Sequence, residues 1–172
     1  EQDTIKKDGP KFIIKTNEGA EEQQHKFAWA RDLPIDIAQE VVDNMNSKGY
    51  RTIQLRRDDQ LSLKNVEHIK MPLRLSMYLS SLADKRLFID SVFQHATAAL
   101  KAPSVVPWIL NDPKIFGYEI HKNIKTSKDR SFRHDMDSYL ERHDITGIAY
   151  QYPYETKELF SSKELIDALD SI

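Results

Sequence analysis

Asp90 and Ser91 stand between a short, mostly apolar run, 86–89, and an Ala-rich stretch, 92–101. This pattern predicts a buried strand followed directly by a helix that begins near these two side chains. A helix N-terminus presents unpaired N–H groups and the positive end of the helix dipole, which together suit a phosphate group. Asp and Ser are also preferred N-cap residues, so the pair could cap the helix, bind a phosphate or ribose, or do both.

The first turn of this predicted helix holds Val92, Phe93, Gln94 and His95. The backbone N–H groups of Val92 and Phe93 would be the donors to a phosphate, whereas we expect Gln94 to be a partly exposed helix residue beside them. His95 has two interpretations. It is either a buried histidine held by a hydrogen bond, or a donor to a phosphate, because imidazole can carry a proton near neutral pH.

A second polar group follows the first predicted strand, 11–15. Thr16, Asn17 and Glu18 come directly after it. In a parallel sheet they would lie at the same carboxyl edge as Asp90, where ligands bind in open α/β folds. They could contact a sugar or an acceptor, or they could form a turn with Gly19, since Asn and Gly are common turn residues.

Three cations are candidates for binding a diphosphate. Arg56 and Arg57 end the second predicted strand, and bidentate guanidinium contacts suit phosphate oxygens. They are followed by Asp58 and Asp59, with which they could pair instead. Lys114 follows the fifth predicted strand, where it could either meet a phosphate or be a solvated surface residue.

Composition argues against several classes of function. The chain has 172 residues, and its net charge of -2 does not indicate a basic nucleic-acid-binding face. It contains no Cys, which excludes a thiolate metal site. No apolar run reaches the roughly 18–20 residues that cross a bilayer. The polar stretch 1–7 does not resemble a signal peptide. We therefore expect a cytoplasmic protein without a transmembrane segment.

Motifs for other chemistries are weak or missing. The six His residues show no His-x-x-x-His or His-Glu-x-x-His spacing, and His134-Asp135 and His143-Asp144 give only weak support for a metal site. The sequence has no Gly-x-Ser-x-Gly nucleophile elbow and no P-loop. We expect no metal and no bound cofactor.

Strand-like and helix-like segments alternate along the chain. Predicted strands cover 11–15, 50–55, 66–70, 86–89, 105–110 and 121–125, and predicted helices begin near Pro34, Pro72, Val92 and Ser161. We expect Asp32 to cap the first helix. The apolar positions that we expect to face the core on the second helix are Leu75, Tyr78, Leu79 and Leu82. The alternation predicts an α/β fold, a three-layer Rossmann-like domain with a mostly parallel sheet of five or six strands.

The window around Asp90 resembles a known family pattern. The C-terminal, nucleotide-binding half of GT-B glycosyltransferases, and the heptosyltransferase-like family in particular, has a strand ending in Asp-Ser/Thr-Gly-Pro-Met-His, an Ala-rich helix and a Pro-containing loop. The matching positions are Asp90, Ser91, His95, Ala96, Ala98, Ala99, Leu100, Pro103 and 111–113, with Trp29 and 48–50 upstream. The resemblance covers roughly 11–120.

The resemblance implies a function and a division of the chain. Residues 1–126 would be a Rossmann-like domain that binds a nucleotide-diphosphate sugar. Residues 127–172 would be a C-terminal extension whose terminal helix packs on the same domain. The sugar would pass to an acceptor hydroxyl without a metal, while His95, Lys114 or Arg56 offsets the charge on the leaving group. An N-terminal domain, as a missing partner, would supply the catalytic base.

One departure from the family pattern leaves a second function open. Val92, Phe93 and Gln94 stand where the family has Gly-Pro-Met, and a Gly would let the backbone approach a pyrophosphate more closely. The alternative is a non-catalytic Rossmann-like module that binds a partner protein or a small phosphorylated ligand.

Overall fold

The computed structural model describes residues 9–17, 31–109, 111–126 and 158–172. In chain order the elements are β1 (Lys11–Lys15), α1 (Ile35–Ser47), β2 (Arg51–Leu55), β3 (Glu67–Ile69), α2 (Leu73–Ser81), β4 (Lys85–Phe88), α3 (Val92–Ala99), β5 (Val105–Trp108), α4 (Pro113–Phe116), β6 (Lys122–Lys125) and α5 (Ser162–Asp170).

The six strands form one parallel sheet in the order β3-β2-β1-β4-β5-β6. Helices α1 and α5 cover one face of the sheet, and α2 and α3 cover the other. The α/β class, the three layers and the parallel sheet predicted from the sequence are therefore confirmed.

Helix α1 has the amphipathic pattern that its sequence predicts. Its buried residues are Ile37, Ala38, Val41, Val42 and Met45. Gly49 adopts a left-handed φ of 87° just after the helix, a conformation that glycine adopts without steric cost. The expected Asp32 cap is wrong: Pro34 is the N-cap and makes no side-chain bond, while Asp32 accepts a hydrogen bond from Asn17.

Helix α2 differs from the expected orientation at three of four positions, since only Leu79 packs against the core, where it is partly buried. Leu75, Tyr78 and Leu82 face solvent, and the residues buried against the sheet are Ser76 and Ser80. The Ser76 hydroxyl donates to the Pro72 carbonyl, and the Ser80 hydroxyl donates to the Ser76 carbonyl. Both buried hydroxyls are therefore hydrogen-bonded. The periodicity of the leucines predicted a helix correctly but did not determine which face meets the core.

Helix α5 packs on α1 and contacts β4 and β5. Its side chains Leu165 and Leu169 are fully buried in the core on this face, and Lys48 forms an ion pair with Asp170 at 2.7 Å. Within the described ranges, no helix is both long enough and apolar enough to cross a membrane.

Candidate functional site

The sheet has a topological switch point between β1 and β4. These strands are hydrogen-bonded neighbours, yet α1 follows β1 on one face while α3 follows β4 on the other. The connections therefore separate at the carboxyl ends of the two strands and leave a crevice there, which is where open α/β sheets bind ligands. Thr16 and Asn17 lie on the β1 side of this crevice, and Asp90 and Ser91 on the β4 side. Glu18 lies outside the described residues.

Ser91 is the N-cap of α3. It has an extended backbone, and its Oγ accepts a hydrogen bond from the Phe93 N–H at 3.3 Å. Asp90 is half-buried, and its Oδ2 accepts from the Asn111 amide at 2.5 Å, which joins the loop after β5 to the same edge. The capping interpretation of Ser91 is therefore confirmed. Whether the same helix end binds a phosphate stays a prediction.

Val92 occupies the first position of α3 and its side chain is 41 % exposed. It projects toward solvent, whereas the side chain of Phe93 turns inward to the sheet. The branched Val92 side chain therefore lies beside the N–H groups that would approach a ligand.

Lys15 is a component of the site that the sequence analysis missed. It is the last residue of β1, is 7 % exposed, and places its Nζ 5.7 Å from the centroid of the Phe93 ring. Alternation along β1 puts Lys15 on the same face as Ile13, the face that α3 covers. A buried ammonium and the positive end of α3 thus lie together at the switch point. A charge at the end of an apolar strand was the available sequence signal.

Thr16 and Asn17 are buried in a hydrogen-bond network on the β1 side. The Thr16 hydroxyl donates to Asn17 Oδ1 at 2.7 Å, and the Asn17 amide donates to Asp32 at 3.2 Å. Two glutamines that the sequence analysis did not select join them. The Gln54 amide donates toward Thr16 Oγ1 at 3.4 Å, and the Gln60 amide donates to the Asn17 carbonyl at 3.2 Å. The network holds the loops after β1 and β2 together.

Arg56 is directed to its own loop. Its Nη1 donates to the carbonyls of residues 57, 58 and 60, and its Nε donates to His68 Nδ1 at 3.2 Å. That bond leaves the proton of neutral His68 on Nε2, which lies 3.1 Å from Ser62 Oγ. Burial and the nearby Arg56 charge lower the pKa of His68.

The acidic residues beside Arg56 are also paired. Arg57 contacts Asp59 at 3.3 Å, and Lys70 contacts Asp58 at 2.7 Å. A hydrogen bond from Lys70 lowers the pKa of Asp58, and one from Arg57 lowers the pKa of Asp59. The Arg–Asp pairing that the sequence left open as an alternative is therefore present for Arg57.

Gln94 is not the partly exposed residue that we expected, and His95 is not the buried histidine of its first interpretation. Gln94 is fully buried, because positions 93, 94 and 97 form the inward face of α3, and His95 is exposed. The Gln94 amide donates to the Phe116 carbonyl at 3.2 Å, while its Oε1 is buried and has no hydrogen-bond partner. His95 Nδ1 lies 2.9 Å from the Tyr118 hydroxyl. These contacts hold His95 on the side of α3 that faces α4.

His121 lies behind this pair and is buried. Its Nδ1 accepts from the Ser104 N–H at 3.1 Å, and its Nε2 lies 2.8 Å from the Gln94 carbonyl, to which it donates. This pair of bonds requires the neutral ring with its proton on Nε2. Burial lowers the pKa of His121, although the Gln94 carbonyl partly opposes the effect.

Lys114 is an exposed residue of α4. It lies with His95 on the α4 side of α3, whereas Lys15 and Ser91 lie at the switch point. Among the described residues, no group of three or more His, Asp or Glu side chains is placed to hold a metal ion. His134-Asp135 and His143-Asp144 lie outside those residues. The structure thus brings Thr16, Asn17, Asp90, Ser91 and Lys15 to one crevice and leaves Arg56, His95 and Lys114 in separate surroundings.

Solved structures share this architecture. A glycosyl transferase family 9 protein from Veillonella parvula matches 94% of this chain with a TM-score of 0.64 and 15% identity. The E. coli heptosyltransferase WaaC with ADP matches 72% at 0.53 and 16% identity. The E. coli ADP-heptose lps heptosyltransferase II matches 70% at 0.55 and 16% identity. No family model and no curated protein matches the sequence.

These likenesses establish the fold. The chain has the architecture of one half of a GT-B, heptosyltransferase-like structure, as the resemblance in the sequence implied. It spans 45% of the Veillonella protein and 40% of each E. coli enzyme, which is less than half of their length.

Proposed function

We propose that this chain is the nucleotide-binding half of a glycosyltransferase and that its donor is a nucleotide-diphosphate sugar. The observation that supports the proposal is the convergence of Ser91, the first turn of α3 and the buried Lys15 at the switch point. A diphosphate seated there would receive the Val92 N–H of α3, since the Phe93 N–H donates to Ser91 Oγ, and a positive charge from Lys15. Both would stabilise the negative charge that develops on the leaving nucleotide.

In this proposal the other half of the enzyme supplies the acceptor site and the catalytic base. The chain matches less than half of the transferases that share its fold, which supports a second domain facing the carboxyl edge. The transfer would need no metal ion, since the charge is offset by Lys15 and the helix end. Asp90, held by Asn111, would bind ribose or sugar hydroxyls. A cytoplasmic location stays a prediction from the sequence.

The roles predicted for the other candidates divide by position. Thr16 and Asn17 line the crevice, and their side chains are already bonded to each other, so they would shape the acceptor side rather than donate freely. Arg56 is bonded to carbonyls of its own loop and His95 lies against the Tyr118 hydroxyl, so each would exchange these contacts to meet a diphosphate at Ser91. The proposal assigns the main cationic role to Lys15 because of its position at the end of β1, beside the first turn of α3.

A panel of UDP, GDP, ADP and CMP tests the proposal by thermal shift and calorimetry. A ligand at a hundred times its dissociation constant should stabilise the fold by about 2.7 kcal/mol. Ser91→Asp retains a good N-cap residue but puts a negative charge at the helix end, so it should abolish binding without unfolding the chain. Ser161→Asp, at the N-cap of α5, is the matched control.

The alternative is a non-catalytic module that binds a partner protein or a small phosphorylated ligand. The exposed Val92 at the helix start favours it, because a side chain there crowds a pyrophosphate. No stabilisation by any nucleoside diphosphate, or equal binding by the Ser91→Asp variant, would favour this alternative over a transferase.

A further inference from the structure

Arg31 has a guanidinium that makes no hydrogen bond or ion pair within the described residues. Its Nε is buried, whereas the residue as a whole is only half-buried, so the outer nitrogens are the part of the group that reaches solvent. A guanidinium carries five N–H donors and a permanent positive charge. Buried donors in folded proteins almost always have an acceptor. Arg31 is therefore a donor whose acceptor is not among the described residues.

Two other buried side-chain atoms in the described ranges lack a partner, and they differ from Arg31 in kind. They are Asn44 Oδ1 and Gln94 Oε1. Both are neutral amide oxygens, which a buried water molecule can satisfy by donating a proton. Arg31 Nε is instead a donor on a cation, and the partner that suits a guanidinium best is an anionic oxygen of a carboxylate or phosphate. The unsatisfied group at Arg31 therefore indicates an oxyanion.

Arg31 lies at the carboxyl edge of the sheet, beside the switch-point crevice. The next residue, Asp32, accepts a hydrogen bond from the Asn17 amide at 3.2 Å. One residue further on, the Leu33 N–H donates to the Thr16 carbonyl at 3.0 Å. Because Thr16 and Asn17 line the β1 side of the crevice, Arg31 belongs to that side as well.

The two sides of the crevice are close to each other. Lys15 of β1 is paired in register with Phe88 of β4. Two residues further along, Asn17 and Asp90 follow at the same level on the two neighbouring chains. Neighbouring strands are about 4.8 Å apart, a spacing shorter than an extended arginine side chain. An arginine that begins beside Asn17 is therefore long enough to contact a ligand at the start of α3.

The described residues at the start of α3 offer donors for a single phosphate group. The Phe93 N–H donates to Ser91 Oγ, and the Gln94 N–H donates to the Ser91 carbonyl at 3.2 Å. The groups that remain for a ligand are the Val92 N–H, the hydroxyl proton of Ser91 and the charge of Lys15. A phosphate group presents three acceptor oxygens, so these three groups match one phosphate. The other phosphate of a diphosphate would need a further cation.

We propose that Arg31 makes the switch-point site specific for a diphosphate over a monophosphate. One phosphate would lie at the start of α3, with Ser91 and Lys15. The Arg31 guanidinium would bind oxygens of the other phosphate from the β1 side, in a bidentate contact. This inference rests on the proposed function, since it assumes a nucleotide at the switch point. It adds the residue that distinguishes the number of phosphates, which the end of α3 alone would not do.

Stability in the absence of ligand distinguishes this role from a structural one. A structural arginine stabilises the fold through its bonds, whereas Arg31 makes none within the described residues. Arg31→Met keeps much of the hydrocarbon stem and removes the charge, so the midpoint of urea unfolding should stay the same or rise. Arg51→Met is the matched control, because Arg51 forms an ion pair with Glu67 at the opposite edge of the sheet. A lower midpoint in Arg31→Met than in Arg51→Met would assign Arg31 a structural role and overturn the proposal.

Calorimetric titration of the full chain tests the specificity directly. The ligands are the mono- and diphosphates of uridine, guanosine and adenosine, with inorganic phosphate and pyrophosphate as probes that lack a base. The unmodified chain should bind a diphosphate at least about tenfold more tightly than the monophosphate of the same base. In Arg31→Met this preference should disappear, because diphosphate affinity falls by at least about tenfold while monophosphate affinity is unchanged. Arg31→Lys, which keeps the charge but not the planar fork, should retain part of the preference, and Arg51→Met should retain all of it.

The outcomes separate this inference from the proposed function. If diphosphates bind the unmodified chain and Arg31→Met still prefers them to monophosphates, the inference is wrong and the proposed function stands. An equal loss of affinity for both classes also overturns the inference, since Arg31 would then attract anions in general. If the unmodified chain binds no nucleotide and no pyrophosphate, the proposed function and the inference both fail.

Discussion

The ammonium of Lys15 lies 5.7 Å from the centroid of the Phe93 ring, which joins the last residue of β1 to the first turn of α3. Phe93 in turn packs against Phe88, with 5.7 Å between the ring centroids. The Phe93 ring is thus held between Phe88 and the Lys15 ammonium, near the start of the helix. The contact thus positions a cation at the point where β1 and β4 separate.

Replacing Lys15 by Met should weaken binding of a nucleoside diphosphate by about tenfold, or 1.4 kcal/mol. The side chain keeps its length and packing on Phe93 but loses the charge that would meet the phosphates. Lys114→Met, which removes an exposed charge on α4, should leave affinity unchanged. Calorimetric titration of both variants measures the difference. A larger loss of diphosphate affinity in Lys114→Met than in Lys15→Met would indicate that the phosphate site lies on the α4 side of α3.

Ser91→Ala should lower the free energy of unfolding by about 1 kcal/mol, because the Phe93 N–H loses its capping acceptor. Ser161→Ala provides the comparison. Ser161 is the N-cap of α5 but makes no side-chain capping bond, so its loss should stay within about 0.5 kcal/mol. Urea unfolding of the two variants measures both values. Equal effects would mean that the Ser91 hydroxyl does not contribute to the stability of α3.

Stability should fall as the pH drops below about 6.5, the usual pKa of His. Burial lowers the pKa of His121 in the folded state, so the unfolded chain binds this proton at a higher pH. The contribution of neutral His121 is therefore complete above pH 6.5 and decreases as the pH falls toward the folded-state pKa. The slope from this one group cannot exceed about 1.4 kcal/mol per pH unit.

Urea unfolding at a series of pH values measures this slope, and His121→Gln should reduce it. His68→Gln is the control, since His68 is exposed whereas His121 is buried. An unchanged slope in His121→Gln would assign the acid sensitivity to other groups.

The architecture could be predicted because its signals are local. They are the spacing of apolar residues and the residue types that begin or end a helix or strand. Each strand from Lys11–Lys15 to Lys122–Lys125 lies within two residues of its predicted bounds, and Gly49 ends α1 as its position predicted. The Ser91 cap followed from residue type and from its place between an apolar run and an Ala-rich stretch. These signals depend on neighbours in the chain, so a single sequence contains them.

Contacts between residues that are distant in the chain could not be predicted from local sequence patterns. Lys15 meets Phe93 only after β1 and β4 pair, and Gln60 reaches the Asn17 carbonyl across the loops of β1 and β2. The inward turn of Gln94 depends on how α3 packs beside α4. The face of α2 was predicted correctly for Leu79 and wrongly for Leu75, Tyr78 and Leu82, because the spacing of these residues is the same whether they meet a sheet or solvent.

Val92→Gly tests how far this side chain limits the phosphate site. Removing the Cβ branch at the start of α3 lets an anion approach the helix N–H groups more closely, so diphosphate affinity should increase several-fold, by roughly 1 kcal/mol. Ala96→Gly, one turn further along α3, is the matched control. Gly is about 1 kcal/mol less favourable than Ala inside a helix, so this variant should lose stability without gaining affinity. Calorimetry and urea unfolding separate the two effects. If Val92→Gly binds the diphosphate no better than the unmodified chain, the exposed valine does not limit the approach, and the present side chain is compatible with the site.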